Sequence, residues 1–179
     1  MKYVALLRGI NVGGKTIIKM AELQECVARL GHDGVRTYIA SGNVLFESRE
    51  RNAAKLDAQL ERAIQKRFRL PVRVVVRSAA DLRKIVERVP RPWLDARDLR
   101  VNVAFLMRGV DGRAVARELT PKDGIDELVV TPNALIFATR RDALTRTGLR
   151  LVGTPIYKEM TLRNLNTTLK LAELVRVST

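Results

Sequence analysis

The sequence predicts an α+β protein built from two diverged ferredoxin-like (split βαβ) modules with largely antiparallel sheets, and three observations carry that expectation. The first half reads in the order strand, helix, strand, strand, helix, strand. Its short β-branched runs alternate with stretches of helical period. Two of its segments recur, in the same order, in the second half.

Taken in order, residues 2 to 7 (KYVALL) form an apolar run of strand length, followed by a glycine-rich loop. MAELQECVARLG then places Met20, Leu23, Val27 and Leu30 at helical spacing, and Gly31 supplies a stop. VRTYIASGNVLFES reads as two strands joined by Ser41-Gly42-Asn43, small polar residues that tolerate the dihedrals of a tight turn. Residues 52 to 68 put Ala53, Leu56, Leu60, Ala63 and Ile64 on one helical face with charged residues opposite, and Pro71 precedes the β-branched strand VRVVVR.

SAADLRKIVERVP predicts a further helix ended by Pro90, and RPWLDARDL reads as a connection. The module boundary is therefore expected near residue 95. It separates an N-terminal α+β module over 1–95, with the glycine-rich loop, from a C-terminal one over 96–179, with a terminal helix. The second module opens on VNVAFLMRGV, whose end, Leu106-Met107-Arg108-Gly109-Val110, echoes Leu6-Leu7-Arg8-Gly9-Ile10. After a short helix at 113–119, DELVVTPNALIFATR repeats the hairpin, with Asn133 leading an apolar run as Asn43 does. TLRNLNTTLKLAELV predicts the last helix, with Leu162, Leu165, Leu169 and Val175 on one side.

Composition narrows the function classes. The 179 residues carry 33 Lys and Arg against 19 Asp and Glu, a net charge of +14, with 46% apolar and 29% charged residues. These fractions argue against disorder, collagen-like repeats and a coiled coil. No run approaches the roughly 18 apolar residues of a membrane helix, and MKYVALLRGINVGGK meets Arg8 too early for a signal peptide, so a cytoplasmic protein without membrane contact is expected. Cys26 is the only cysteine, and Cys26 with His32 falls short of a zinc set, so neither metal nor cofactor is expected. His32 precedes Asp33-Gly34 without a Ser or Cys partner. Asp57 and Glu61, beside Arg62 and Lys66, read as a solvated helix face. No catalytic residue is nominated, and whether the chain is an enzyme stays open.

One segment carries a formal motif. Gly9-Ile10-Asn11-Val12-Gly13-Gly14-Lys15-Thr16 matches the P-loop pattern G-x-x-x-x-G-K-[ST], in which backbone N–H groups cradle phosphates, the Lys reaches the terminal phosphates and the hydroxyl holds magnesium. A nucleotide hydrolase or kinase also needs an acidic residue at the end of a buried strand. The nearest, Asp111, sits beyond Arg108 and Gly109. The antiparallel hairpin at Ser41-Gly42-Asn43 also departs from a P-loop sheet. Two other readings stand: a loop that binds an anion without cleaving it, and a plain turn with Lys15 in solvent.

The runs ALLRGINVGGK, KMAELQ, TYIASGNVLF and TLRNLNTTLKLAEL together resemble the bacterial family called domain of unknown function 1697, from residue 3 to about residue 174. The resemblance implies an α+β protein of two related subdomains and no established activity. It also implies that the loop runs on through Lys19 and Met20 and needs no hydroxyl after Lys15, which makes Thr16 incidental. The family's polar motif positions fall on Arg8, Asn11, Lys15, Ser41, Asn43, Thr161, Arg163, Asn164, Thr168 and Lys170. These side chains donate hydrogen bonds, several are cationic and none is acidic, which suits a phosphate or carboxylate better than a metal. With Gly13 and Gly14 of the loop, Arg8, Asn11, Lys15, Ser41, Asn43, Arg163, Asn164 and Lys170 make up the candidate anion site. A purely structural assignment has Ser41 and Asn43 holding the hairpin, Thr161 capping the last helix, and Arg163 and Lys170 solvating it.

Two partner classes compete with a phosphate-bearing small molecule. Lys66-Arg67-Phe68-Arg69, with Arg73 and Arg77, could track a nucleic-acid backbone, although 4% aromatic residues are few for base stacking. A protein-interaction module, or a homodimer through sheet edges or an open sheet face, is the other.

Overall fold

The computed structural model describes residues 1–13 and 16–176. Its first six elements are β1 (Lys2–Leu7), α1 (Met20–Ala28), β2 (Asp33–Tyr38), β3 (Asn43–Glu47), α2 (Ala53–Phe68) and β4 (Val74–Ser78). The strands lie in the order β2-β3-β1-β4 with every pair antiparallel, the split βαβ arrangement the sequence predicts. Tyr3, Ala5 and Leu7 of β1 pack with Val44, Phe46, Val74 and Val76 against Leu23, Val27, Leu56, Leu60 and Ile64 of the two helices. Val4, Leu6, Leu45 and Val75, on the other face, are buried as well. Burial on both faces explains why the strands read as continuous apolar runs rather than alternating ones.

Local sequence closes these elements. Asn52 caps α2 by accepting from the Ala54 and Lys55 amides, and the helix ends on Arg69 in the left-handed region. Gly42, with φ of 78°, turns the first hairpin, and an added Cβ would come within 2.8 Å of the Ile10 side chain. Glycine is required there on both counts.

The chain continues through α3 (Ala79–Val86), α4 (Arg91–Leu94), β5 (Leu99–Leu106), α5 (Gly112–Arg117), β6 (Asp126–Val130), β7 (Ala134–Arg140), β8 (Met160–Asn164) and α6 (Leu165–Leu174). The second sheet has the order β6-β7-β5-β8, again antiparallel throughout, so each strand repeats the place of its counterpart in the first. The helix that should lie between β7 and β8 is replaced by two 3-10 turns, Arg141–Ala143 and Pro155–Glu159, in an otherwise irregular segment. Asp126 ties this segment down. Its carboxylate accepts from the Thr139 and Thr147 hydroxyls at 2.8 and 2.6 Å and from the Gly148 and Lys122 amides at 2.8 and 3.1 Å. Burial by itself would raise this carboxyl's pKa, but the four donors hold it below the ordinary value.

Compactness divides the chain into two units, Met1–Leu82 with the segment from Leu171 on, and Arg83–Lys170. The boundary expected near residue 95 falls within the second unit, between α4 and β5. No helix among the described residues is long and apolar enough to cross a membrane.

Two expectations need correction. The predicted last helix begins at Leu165, because Met160–Asn164 is a strand paired with β5. Leu162, Leu165 and Leu169 fit a helical spacing. Met160 and Leu162 also alternate with Thr161 and Arg163, as strand residues do, and pairing decides between them. The repeat is also one residue out of register. Leu7 N–H donates to Gly42 O and Leu106 N–H donates to Asn133 O, so Leu7 matches Leu106 and not Met107. A shift of one would exchange the two faces of the strand, which packing forbids.

Candidate functional site

The glycine-rich loop leaves β1 through Arg8, whose amide donates to Arg73 O. Gly9, Asn11, Gly13 and Thr16 take left-handed backbone, with φ of 66°, 55°, 62° and 54°. Asn11 accounts for the loop's closure. Its Oδ1 accepts from the Ile18 amide at 2.8 Å, and its Nδ2 donates to Ile18 O at 2.9 Å and Ala40 O at 2.8 Å. The carboxamide thus joins both ends of the loop to the neighbouring hairpin. Gly14 and Lys15 lie outside the described residues.

Ser41 and Asn43 stand in and beside that hairpin turn. Asn43 is buried, and its Nδ2 donates to Tyr38 O at 2.9 Å and Ser41 Oγ at 3.1 Å, the structural role the alternative assignment gave them. Arg8, Asn11, Gly13, Ser41 and Asn43 therefore share one end of the first unit.

The other candidates belong to the second unit, Arg163 and Asn164 on β8 and Lys170 on α6. Arg163 is not on a solvated helix face. It is buried, with Nη1 donating to Thr161 Oγ1 at 2.9 Å and Leu162 O at 2.8 Å, and burial pushes its pKa down to about 10. Nor does Thr161 cap the last helix, since it lies inside β8. Asn164 does so, its Oδ1 accepting from the Thr167 amide at 2.7 Å, while Thr168 Oγ1 donates to Asn164 O at 3.0 Å.

The register exposes a pair that sequence reading missed. Val4 faces Arg77 across β1 and β4, and Val103 faces Arg163 across β5 and β8. Both arginines are buried, and each donates from Nη1 to the carbonyl of the residue before it. Burial takes Arg77 out of the basic stripe expected from the sequence. That stripe is further reduced by the ion pairs Arg67–Glu22 at 3.0 Å and Arg73–Glu61 at 3.3 Å.

Among the described residues, the surroundings of the loop differ from those of a P-loop hydrolase. A P-loop delivers its Lys and hydroxyl onto the first turn of the helix that follows. Here α1 starts at Met20, Thr16 is left-handed, and Lys19 at the cap makes no side-chain cap bond. Asp111 caps α5 by accepting from the Arg113 amide at 3.0 Å. Among the described residues no three His, Cys, Asp or Glu side chains are grouped to hold a metal. Cys26 is buried, which pushes its thiol pKa up. His32 lies 4.8 Å from the Phe46 ring, and burial lowers its pKa.

Two sheets of the same order and a closed glycine loop at the end of the first strand define a tandem α+β protein. The chain belongs to the family described as protein of unknown function (DUF1697), whose model matches residues 1–137. It is similar to the solved structure of a conserved bacterial protein from Streptococcus pneumoniae, with 30% identity, a TM-score of 0.84 and 98% of each chain covered. No curated protein matches.

Proposed function

We propose that the chain binds a phosphate-bearing or other anionic ligand at the Gly9 to Lys15 loop without hydrolysing it. One observation carries the reading. Left-handed residues at Gly9, Asn11 and Gly13 fall at alternate positions beside Arg8, and backbone of this kind turns neighbouring N–H groups toward one side where an anion can accept them, the Asn11 amide itself being taken by Thr16 O at 3.1 Å. The Asn11 clamp supports it by tying Asn11 to Ile18 and to Ala40 of the hairpin before any ligand arrives, which lowers the entropic cost of ordering these residues on binding. The three residues between Thr16 and α1 favour binding over phosphoryl transfer, because they take the hydroxyl away from the helix terminus.

The test is a thermal-shift series with inorganic phosphate, ATP and GTP, since a ligand that binds only the native state raises its melting temperature. Lys15→Ala should abolish the stabilisation and Thr16→Ala should leave it nearly unchanged. Magnesium-dependent turnover suppressed by both substitutions would replace this reading with a hydrolase. Stabilisation indifferent to Lys15→Ala would reduce the loop to a turn.

A further inference from the structure

We propose a second anion site, wholly within the second unit, that takes a small oligophosphate such as a di- or triphosphate group. A concavity of about 480 Å³ opens where β5 begins, and Arg97, Arg100 and Arg141 line it. None of these guanidinium groups makes a hydrogen bond or ion pair among the described residues. Asp95 is the one carboxylate in the lining. Three planar, permanently charged forks around one small volume match the oxygens of linked phosphates, which accept paired N–H bonds.

The repeat strengthens the assignment. At the matching place in the first module, Tyr3 stacks on Phe46 with ring centroids 5.6 Å apart, and the sheet is closed over by α2. Here the α2 counterpart is missing, and the residue equivalent to Tyr3 is Asn102, paired in register with Asn164. A core position has thus become a polar one. Neither carboxamide nitrogen has a partner among the described residues, and both asparagines line the concavity. Asn102 is half-buried and Asn164 exposed, so both carboxamides are open to a ligand that enters the concavity. The larger concavity of the first unit, about 830 Å³ beside His32, lacks this surplus, because Asp33 and Glu50 oppose its cations and Lys55 pairs with Glu50 at 3.8 Å.

Trp93, the only tryptophan, is in the same lining, so its emission reports on this site. The experiment titrates the full chain with tripolyphosphate, pyrophosphate and a single-stranded oligonucleotide at about 0.15 M salt, where loose polyanion association is screened. Calorimetry on the same samples reads any binding that leaves the emission unchanged. Tripolyphosphate should bind one to one, and Arg100→Ala and Arg141→Ala should each weaken it about ten-fold while melting temperatures stay put. Arg113→Ala, on the exposed face of α5, and Lys15→Ala, in the first unit, should leave it unchanged. Insensitivity to Lys15→Ala separates this site from the loop of the first unit, so either can fail alone. No saturable binding by either method, an equal loss in Arg113→Ala, or tighter binding of the oligonucleotide would each overturn the proposal.

Discussion

At the scale of single residues, burial sets the chemistry more than residue type does. His32 is the only histidine of the chain, so its titration can be followed without overlap. Burial against Phe46 disfavours its charged form and lowers its pKa from the ordinary 6.5, the Gln59 hydrogen bond and Asp33 opposing that shift in part. Above pH 6.5 the ring is neutral in both folded and unfolded chain, and its contribution is fully present. As the pH falls through the folded value the unfolded chain takes up the proton first, and stability is lost. Imidazole NMR should give a midpoint below 6.5, and melts between pH 7 and pH 5 should fall less steeply in His32→Gln than in the parent. A midpoint at or above 6.5 would contradict the burial described here. Arg163 makes the same point from the sequence side: nothing in T-L-R-N distinguishes a buried strand arginine from a solvating helical one, because only pairing with β5 takes it out of water.

Among the elements, loops separate glycines that are sterically needed from those needed for backbone alone. Gly42 combines φ of 78° with core atoms at 2.8 and 2.9 Å from an added Cβ, whereas Gly9, with φ of 66°, has nothing within 4 Å. Gly9→Ala should therefore cost about 1–2 kcal/mol, the left-handed penalty, while Gly42→Ala should add overpacking of Ile10 and Leu7 and reach about 2–4 kcal/mol. Urea denaturation of the two variants checks the order, and equal losses would show that the contact is relieved by repacking. The strands β1 to β7, both hairpins and the first two helices were legible because apolar period and turn residues agree there. The β8 segment was not, since a five-residue run of mixed spacing satisfies both periods. The missing helix between β7 and β8 left no signal beyond weak patterning, and with it went the lining of the arginine concavity, whose members come from α4, the connection to β5, β5 itself, the 3-10 turn after β7, β8 and the start of α6 and are brought together only by the fold.

On the scale of the whole molecule, the first unit takes its last pieces from far along the chain. Leu171 and Val175 are buried, Arg36 Nη2 donates to Leu174 O at 2.6 Å and Lys2 Nζ donates to Arg176 O at 3.2 Å. A chain cut after Lys170 should melt lower than the full one, through loss of two buried apolar side chains worth about 1.5–3 kcal/mol each. Unchanged melting would mean that this segment rides on the first unit without stabilising it. On a ribosome, β1 to β4 emerge early, yet Leu171 and Val175 leave the exit tunnel only after every residue of the second unit. Synthesis at about 5–20 residues per second makes that an interval of several seconds. During it the first sheet is assembled but lacks the residues that finish its cover, so the newborn protein passes through a stage in which one module waits, incompletely clothed, for the other to be made.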